Sequence, residues 1–180
     1  FMKKIYALLF FLFFSAISNS QVILSLDDDT VYIDSIVNFT KNVKSDSIRS
    51  LNSFRLSKLF LMVQDVKSSK EYLKQGNRLK TKFPFLKDLS LYYNANSFLE
   101  KGDIDGFEKA LLEANEKLKK YRYKEAYRLR AIILQNYGIM QQRKNNENAY
   151  MRLLVNEAIP IAKRSGDFEL ISGLNKAVAI

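Results

Sequence analysis

The sequence contains no histidine and no cysteine. Their absence excludes Ser-His-Asp and Cys-His nucleophilic sites, ordinary zinc sites and a phospho-accepting histidine within this segment. It also excludes disulfides, so packing alone must hold the fold. Tryptophan is missing too, and the 180 residues hold only 6 Gly and 2 Pro. A chain so poor in breakers suits long helices more than a many-stranded sheet. What is present is ordinary for a globular domain with a real core, 47% apolar and 27% charged. The charge is one-sided, with 29 Lys and Arg against 19 Asp and Glu. Such a balance points to an acidic partner, anionic lipid, cell-wall polymer or nucleic acid.

The first twenty residues read as a signal peptide. Lys3 and Lys4 form its positive end, "IYALLFFLFF" its apolar core, and Ser18 and Ser20 the small residues before a cut at Gln21. The apolar run is too short for an ordinary membrane span; an uncleaved anchor is the alternative. No cysteine follows it, so a lipoprotein is excluded. Loss of Lys3 and Lys4 lowers the net charge from +10 to +8. The expected localisation is periplasmic or cell envelope, which disfavours nucleic acid as a partner. The apolar pattern at Ile180 has no cap, and Phe1 precedes Met2, so the chain is expected to be a fragment of a longer reading frame.

Residues 21–44 are expected to form an extended arm ("VILSL") and a lead-in helix from Asp34 to Val43. From residue 45 to residue 180 helical patterns alternate with short turns, in units 45–84, 86–120 and 123–165 and the start of another at 168–180. The expected apolar faces are Leu56, Leu59, Phe60 and Val63; Tyr72, Leu73, Gly76 and Leu79; Leu91, Ala95, Phe98 and Leu99; Phe107, Leu111, Ala114 and Leu118; Ala126, Leu129, Ile133, Tyr137 and Met140; and Met151, Leu154, Val155, Ala158 and Ala162. Pro84 marks a break, and Pro160 should bend the sixth helix or end it. Short turns favour antiparallel hairpins. Small residues recur in the first helix of each hairpin (Ser57, Ala95, Gly138) and in the second (Gly76, Ala114, Ala158). Their spacings are 38 and 43 residues in the first set and 38 and 44 in the second. Two helices approach closely only where side chains are short.

"LSKLFLMVQDVKSSKEYLKQGNRL", "NANSFLEKGDIDGFEKALLEANEKL" and "YGIMQQRKNNENAYMRLLVNEAIPIAKRSGD" resemble tetratricopeptide repeats. Ser57, Ser69 and Gly76 match the family's small positions, and Phe60 and Leu73 its large ones. Ala95, Phe98, Leu111 and Ala114 match in the second unit, where Phe107 stands in place of a small residue. The units exceed the usual length of about 34 residues. The resemblance implies an all-α fold, antiparallel hairpins stacked as a right-handed α-solenoid with a continuous core. An export signal before divergent repeats looks like the sensing part of bacterial regulators, which continue into a membrane helix and a kinase or DNA-binding output. The function it implies is non-enzymatic binding of a protein or peptide, with acidic partners favoured by charge. A secreted scaffold without signalling output is the alternative.

No catalytic constellation emerges, and no cofactor or metal is expected. "GDIDGFE" resembles a calcium loop, but Gly106 as sixth position places Lys101 first and Leu112 twelfth, where carboxylates are required. It is better read as a turn, with Gly102 ending one helix and Asp103 or Asp105 capping the next, Asp105 and Glu108 having capping-box spacing. "DDD" (Asp27 to Asp29) reads as a solvated loop, with recruitment of a divalent cation as the alternative. "KLKKYRYKEAYRLR" reads as a loop and helix with a solvated basic face, with a contact to an acidic peptide or polymer as the alternative. The resemblance places first helices on a concave groove, where Arg55, Lys58, Tyr92, Asn96, Gln135 and Arg143 are the candidate binding residues.

Overall fold

The computed structural model describes residues 30–179, apart from the side chain of Thr81. The expected signal peptide, the extended arm and the C-terminal Ile180 lie outside the described residues. Among those described, 87% are helical and none is in a strand. The fold is all-α.

Helix α1 covers 30–42. It is followed by α2 (Asp46–Met62), α3 (Val66–Leu79), α4 (Pro84–Glu100), α5 (Ile104–Leu118), α6 (Lys124–Arg143), α7 (Glu147–Leu153), α8 (Ile159–Ser165) and α9 (Phe168–Ala179). Pro84 is not only a break: it begins α4, where its fixed φ suits a first turn and its missing N–H costs nothing. Pro160 does not end its helix. It cannot donate to the Asn156 carbonyl, and the chain absorbs this with a π-helical turn at Leu154–Ala158, in which the Ile159 N–H reaches back to Leu154.

The same turn closes the hairpins α2/α3, α4/α5 and α6/α7. A left-handed residue, Gln64, Gly102 or Asn145 (φ 64°, 72° and 59°), ends the first helix. The next N–H, from Asp65, Asp103 or Asn146, donates to the carbonyl of Phe60, Phe98 or Gln141 at 2.9, 2.9 and 3.0 Å. That residue's side chain then accepts the N–H of Ser68, Gly106 or Ala149, capping the second helix. The pattern satisfies the exposed groups of both helix ends within two residues. Asp103, rather than Asp105, is therefore the cap in the acidic stretch. Glu108 forms no capping box; it bonds Gln141 on α6 and Lys144 just after it.

The hairpins are antiparallel. Ser69 Oγ donates to the Ser57 carbonyl at 2.8 Å, and further from the turn Ser50 Oγ donates to the Gly76 carbonyl at 3.0 Å. Seven residues before each left-handed residue stands Ser57, Ala95 or Gly138; four after each capping residue stands Ser69, Phe107 or Tyr150. The pairs are complementary in size. Serine meets serine, Ala95 shares a core cluster with Phe107, and a Cβ on Gly138 would lie 2.7 Å from the Tyr150 ring.

Consecutive hairpins pack in chain order, α3 and α2 against α4, α5 against α6, and α8 against α9. Contacts between units tie alternate turns to opposite edges of the stack. On one edge Lys70 pairs with Glu100 at 3.1 Å, and Glu108 with Lys144. On the other, Phe85 meets Tyr121 and Tyr123 edge-on at 5.1 Å, and Arg128 pairs with Asp167 at 2.8 Å.

The expected continuous core is divided into two clusters that meet on α6. Leu129, Ile133 and Met140 face the first, Ala131 and Leu134 the second. Phe107, Leu111, Ala114 and Leu118 are all buried as their spacing predicts. The first helices depart from expectation because they are covered on more than one side. In α2 the buried residues are Ser50, Asn52, Ser53, Phe54, Leu56 and Ser57, while Leu59, Phe60 and Val63 are only half-buried. In α4, Tyr92 and Tyr93 are buried and Leu99 is exposed.

Gly138→Ala forces a methyl against the Tyr150 ring. It is expected to destabilise by about 1–3 kcal/mol despite alanine's higher helix propensity, and Tyr150→Leu should recover most of the loss. Urea unfolding of the single and double variants checks this, and independent effects would refute the contact.

Candidate binding surface

A line of ion pairs crosses the first helices. Arg55 on α2 holds Glu125 on α6 with two bonds, Nη2 to Oε2 at 2.7 Å and Nε to Oε1 at 3.3 Å. Glu125 lies 3.9 Å from Arg128, whose Nε donates to Asp167 Oδ2 at 2.8 Å. Beneath runs α4. Its Tyr93 is buried and stacks on Phe54 with ring centres 5.2 Å apart. Burial raises the Tyr93 hydroxyl far above the ordinary tyrosine range, and neighbouring Glu125 adds to the effect. Burial raises Tyr92 as well, against a side-chain hydrogen bond with Asn136.

Burial opposes the charge on Arg128, but Glu125 and Asp167 more than offset it and its pKa is raised. The Leu170 N–H, bonded to Oδ1, lowers the pKa of Asp167; Arg128 contributes in the same direction. Lys58 contrasts with these. Burial lowers its pKa, and it joins none of the ion pairs of the described residues.

The six candidate residues fall into three situations. Tyr92 is 7% exposed and supports the face from beneath, offering almost no surface to a ligand. Arg55 is engaged with Glu125, and it lines a cleft of about 310 Å³ with Asn52 and with Tyr32, Ser35, Ile36 and Phe39 of α1. Helix α1 thus lies beside the face of the first unit. Lys58, Asn96 and Gln135 are half-buried, and Arg143 is exposed at the end of α6. A second cleft, of about 490 Å³, opens between α6 and the π-helical turn, lined by Tyr137, Gln141, Asn146, Arg152, Asn156 and Glu157 among others. Sequence spacing could not indicate Glu125 as the partner of Arg55, 70 residues away. The π turn had a signal, Pro160 inside an apolar pattern. Among the described residues no three acidic side chains converge as a metal site, and none of their helices is long and apolar enough to cross a membrane.

No protein-family model matches the chain, and neither a curated protein nor a solved structure shows significant similarity to it.

Asp167 gives the surface an acid limit. Its folded pKa lies below the unfolded value of about 3.9, so its contribution is complete above that pH and is lost as pH falls through the depressed value. Asp167→Asn keeps the cap but loses the charge. It is expected to lower stability by about 1 kcal/mol at neutral pH and to flatten the loss in acid. Urea midpoints between pH 7 and pH 3 measure this, and an unchanged acid slope would contradict it.

Proposed function

We propose that this chain is a tetratricopeptide-like repeat domain that binds a protein or peptide without catalysing a reaction. In this reading it works outside the cytoplasm as the sensing part of a longer regulator. The observation that carries the reading is the threefold recurrence of one hydrogen-bonded turn, at Gln64-Asp65, Gly102-Asp103 and Asn145-Asn146, each joining two helices that pack on the next pair in chain order. A single hairpin cannot bury its apolar face, so stacking follows, and a stack presents one extended surface built from equivalent helices.

Such surfaces hold an extended or helical segment by shape and a few polar anchors. The accessible candidates are Lys58, Asn96, Gln135 and Arg143. The positive charge of the chain favours a peptide with acidic residues. The export part of the reading rests on residues 1–20, and fusing them to alkaline phosphatase, which is active only after export, checks the compartment.

Selection of a displayed peptide library on the full chain tests the binding surface. Enriched sequences are expected to be acidic and to lose at least about tenfold in affinity on Lys58→Glu/Arg143→Glu, since each charge-assisted contact contributes about 1.5–3 kcal/mol. Failure to enrich any sequence, or affinities untouched by both changes, would favour a scaffold with no peptide site.

A further inference from the structure

The two edges of the stack differ sharply in charge. The turns on one edge, with their flanking residues 41–49, 78–88, 116–125 and 163–169, carry fourteen Lys and Arg against six Asp and Glu. The opposite edge, residues 62–71, 99–109 and 143–152, carries seven of each. Five of the six acids on the basic edge are already paired: Asp46 with Arg49, Asp88 with Lys120, Glu116 with Lys119, Glu125 with Arg55 and Asp167 with Arg128. Only three of the fourteen cations, Arg49, Lys119 and Lys120, take part in these pairs, and Glu169 is the one acid of the edge outside them.

The turns sit together because they touch. Lys120 Nζ and Tyr121 Oη both bond Asp88 Oδ2, at 2.8 and 2.7 Å, and the ring of Phe85 lies against Tyr121 and Tyr123. Arg164 lies over the Tyr127 ring at 5.9 Å. Two large aromatic side chains stand out from this edge, Tyr123 at 56% exposed and Phe168 at 84%. Phe168 opens α9 directly after the α8–α9 turn and is the most exposed large apolar side chain of the described residues.

We propose that this edge docks the protein on a lipid bilayer rich in anionic headgroups, with the basic turns facing the headgroups and Tyr123 and Phe168 reaching into the interface. Excess cations draw the edge to a negative surface. Aromatic rings gain by lying at the boundary between headgroup and acyl chain. A soluble polyanion would need the charge but would leave Phe168 unexplained. None of the accessible peptide-binding candidates, Lys58, Asn96, Gln135 and Arg143, lies in these segments, so either reading can fail without the other.

Because the chain has no tryptophan, Phe168→Trp in the full chain gives a single local probe. Only the local signal is informative, since the apolar N-terminal run could tether the chain to any vesicle. The indole emission should shift to the blue with vesicles containing phosphatidylglycerol and stay unchanged with phosphatidylcholine alone. High salt should weaken the shift. Lys82→Gln/Arg122→Gln/Lys124→Gln, three cations outside the described ion pairs, should raise the anionic-lipid concentration needed for half of the blue shift by about two orders of magnitude. Ile104→Trp, on the opposite edge, should give no shift. The proposal is overturned by no shift with anionic vesicles, by equal shifts from both probes or both lipids, or by an equal shift with soluble polyphosphate, which would assign the edge to polyanions.

Discussion

Each hairpin depends on how closely its two helices can approach at one level, seven residues before the left-handed turn. Ser57 meets Ser69 there, Ala95 stands at the level of Phe107, and Gly138 receives Tyr150. The sum of the two side chains is limited, so a larger residue on the second helix requires a smaller one on the first. Close packing allows little error at such a contact, because an added methyl has nowhere to go. The turn fixes the register and the contact fixes the separation. Together they set which residues remain for packing against the next unit, and α6, with one face in each core cluster, shows the result.

Alternation of turns between two edges follows from this hairpin geometry, and it gives the surface its character. Residues far apart in sequence, such as Asp88 and Lys120 or Arg128 and Asp167, meet because their turns share an edge. Arg55 and Glu125 meet across the first helices by the same logic. The net charge is carried unevenly as well, with the excess of Lys and Arg on the edge that holds the 80–83, 119–123 and 166–167 turns.

Much of the helical framework was legible in the sequence. Gly102 marked a helix end, and Asp103 or Asp105 marked the start of the next. Phe107, Leu111, Ala114 and Leu118 were readable because α5 buries one side only. The faces of α2 and α4 were not, because helices covered on several sides show no single stripe. Tyr92 illustrates the consequence: a polar aromatic expected on a groove is buried under an ion-pair line whose members come from α2, α6 and the α8–α9 turn. Gln64 and Asn145 lie at left-handed positions that glycine would announce more plainly. Of the candidate site, the sequence could supply residue types on the first helices but no pairing between them. Local spacing says nothing about which unit a side chain will reach.

The central claim is that the turns alternate between two edges of a stack of antiparallel hairpins. The absence of cysteine makes a direct test possible, since introduced thiols have no competitors. Cysteine pairs at 70 and 100, or at 88 and 120, can be treated with a short bis-maleimide and the intramolecular cross-links quantified. The pairs Lys70→Cys/Glu100→Cys and Asp88→Cys/Lys120→Cys, each within one edge, should cross-link nearly completely. Lys70→Cys/Lys120→Cys, spanning the two edges, should not. Efficient cross-linking of the spanning pair, or failure of either within-edge pair, would contradict the architecture.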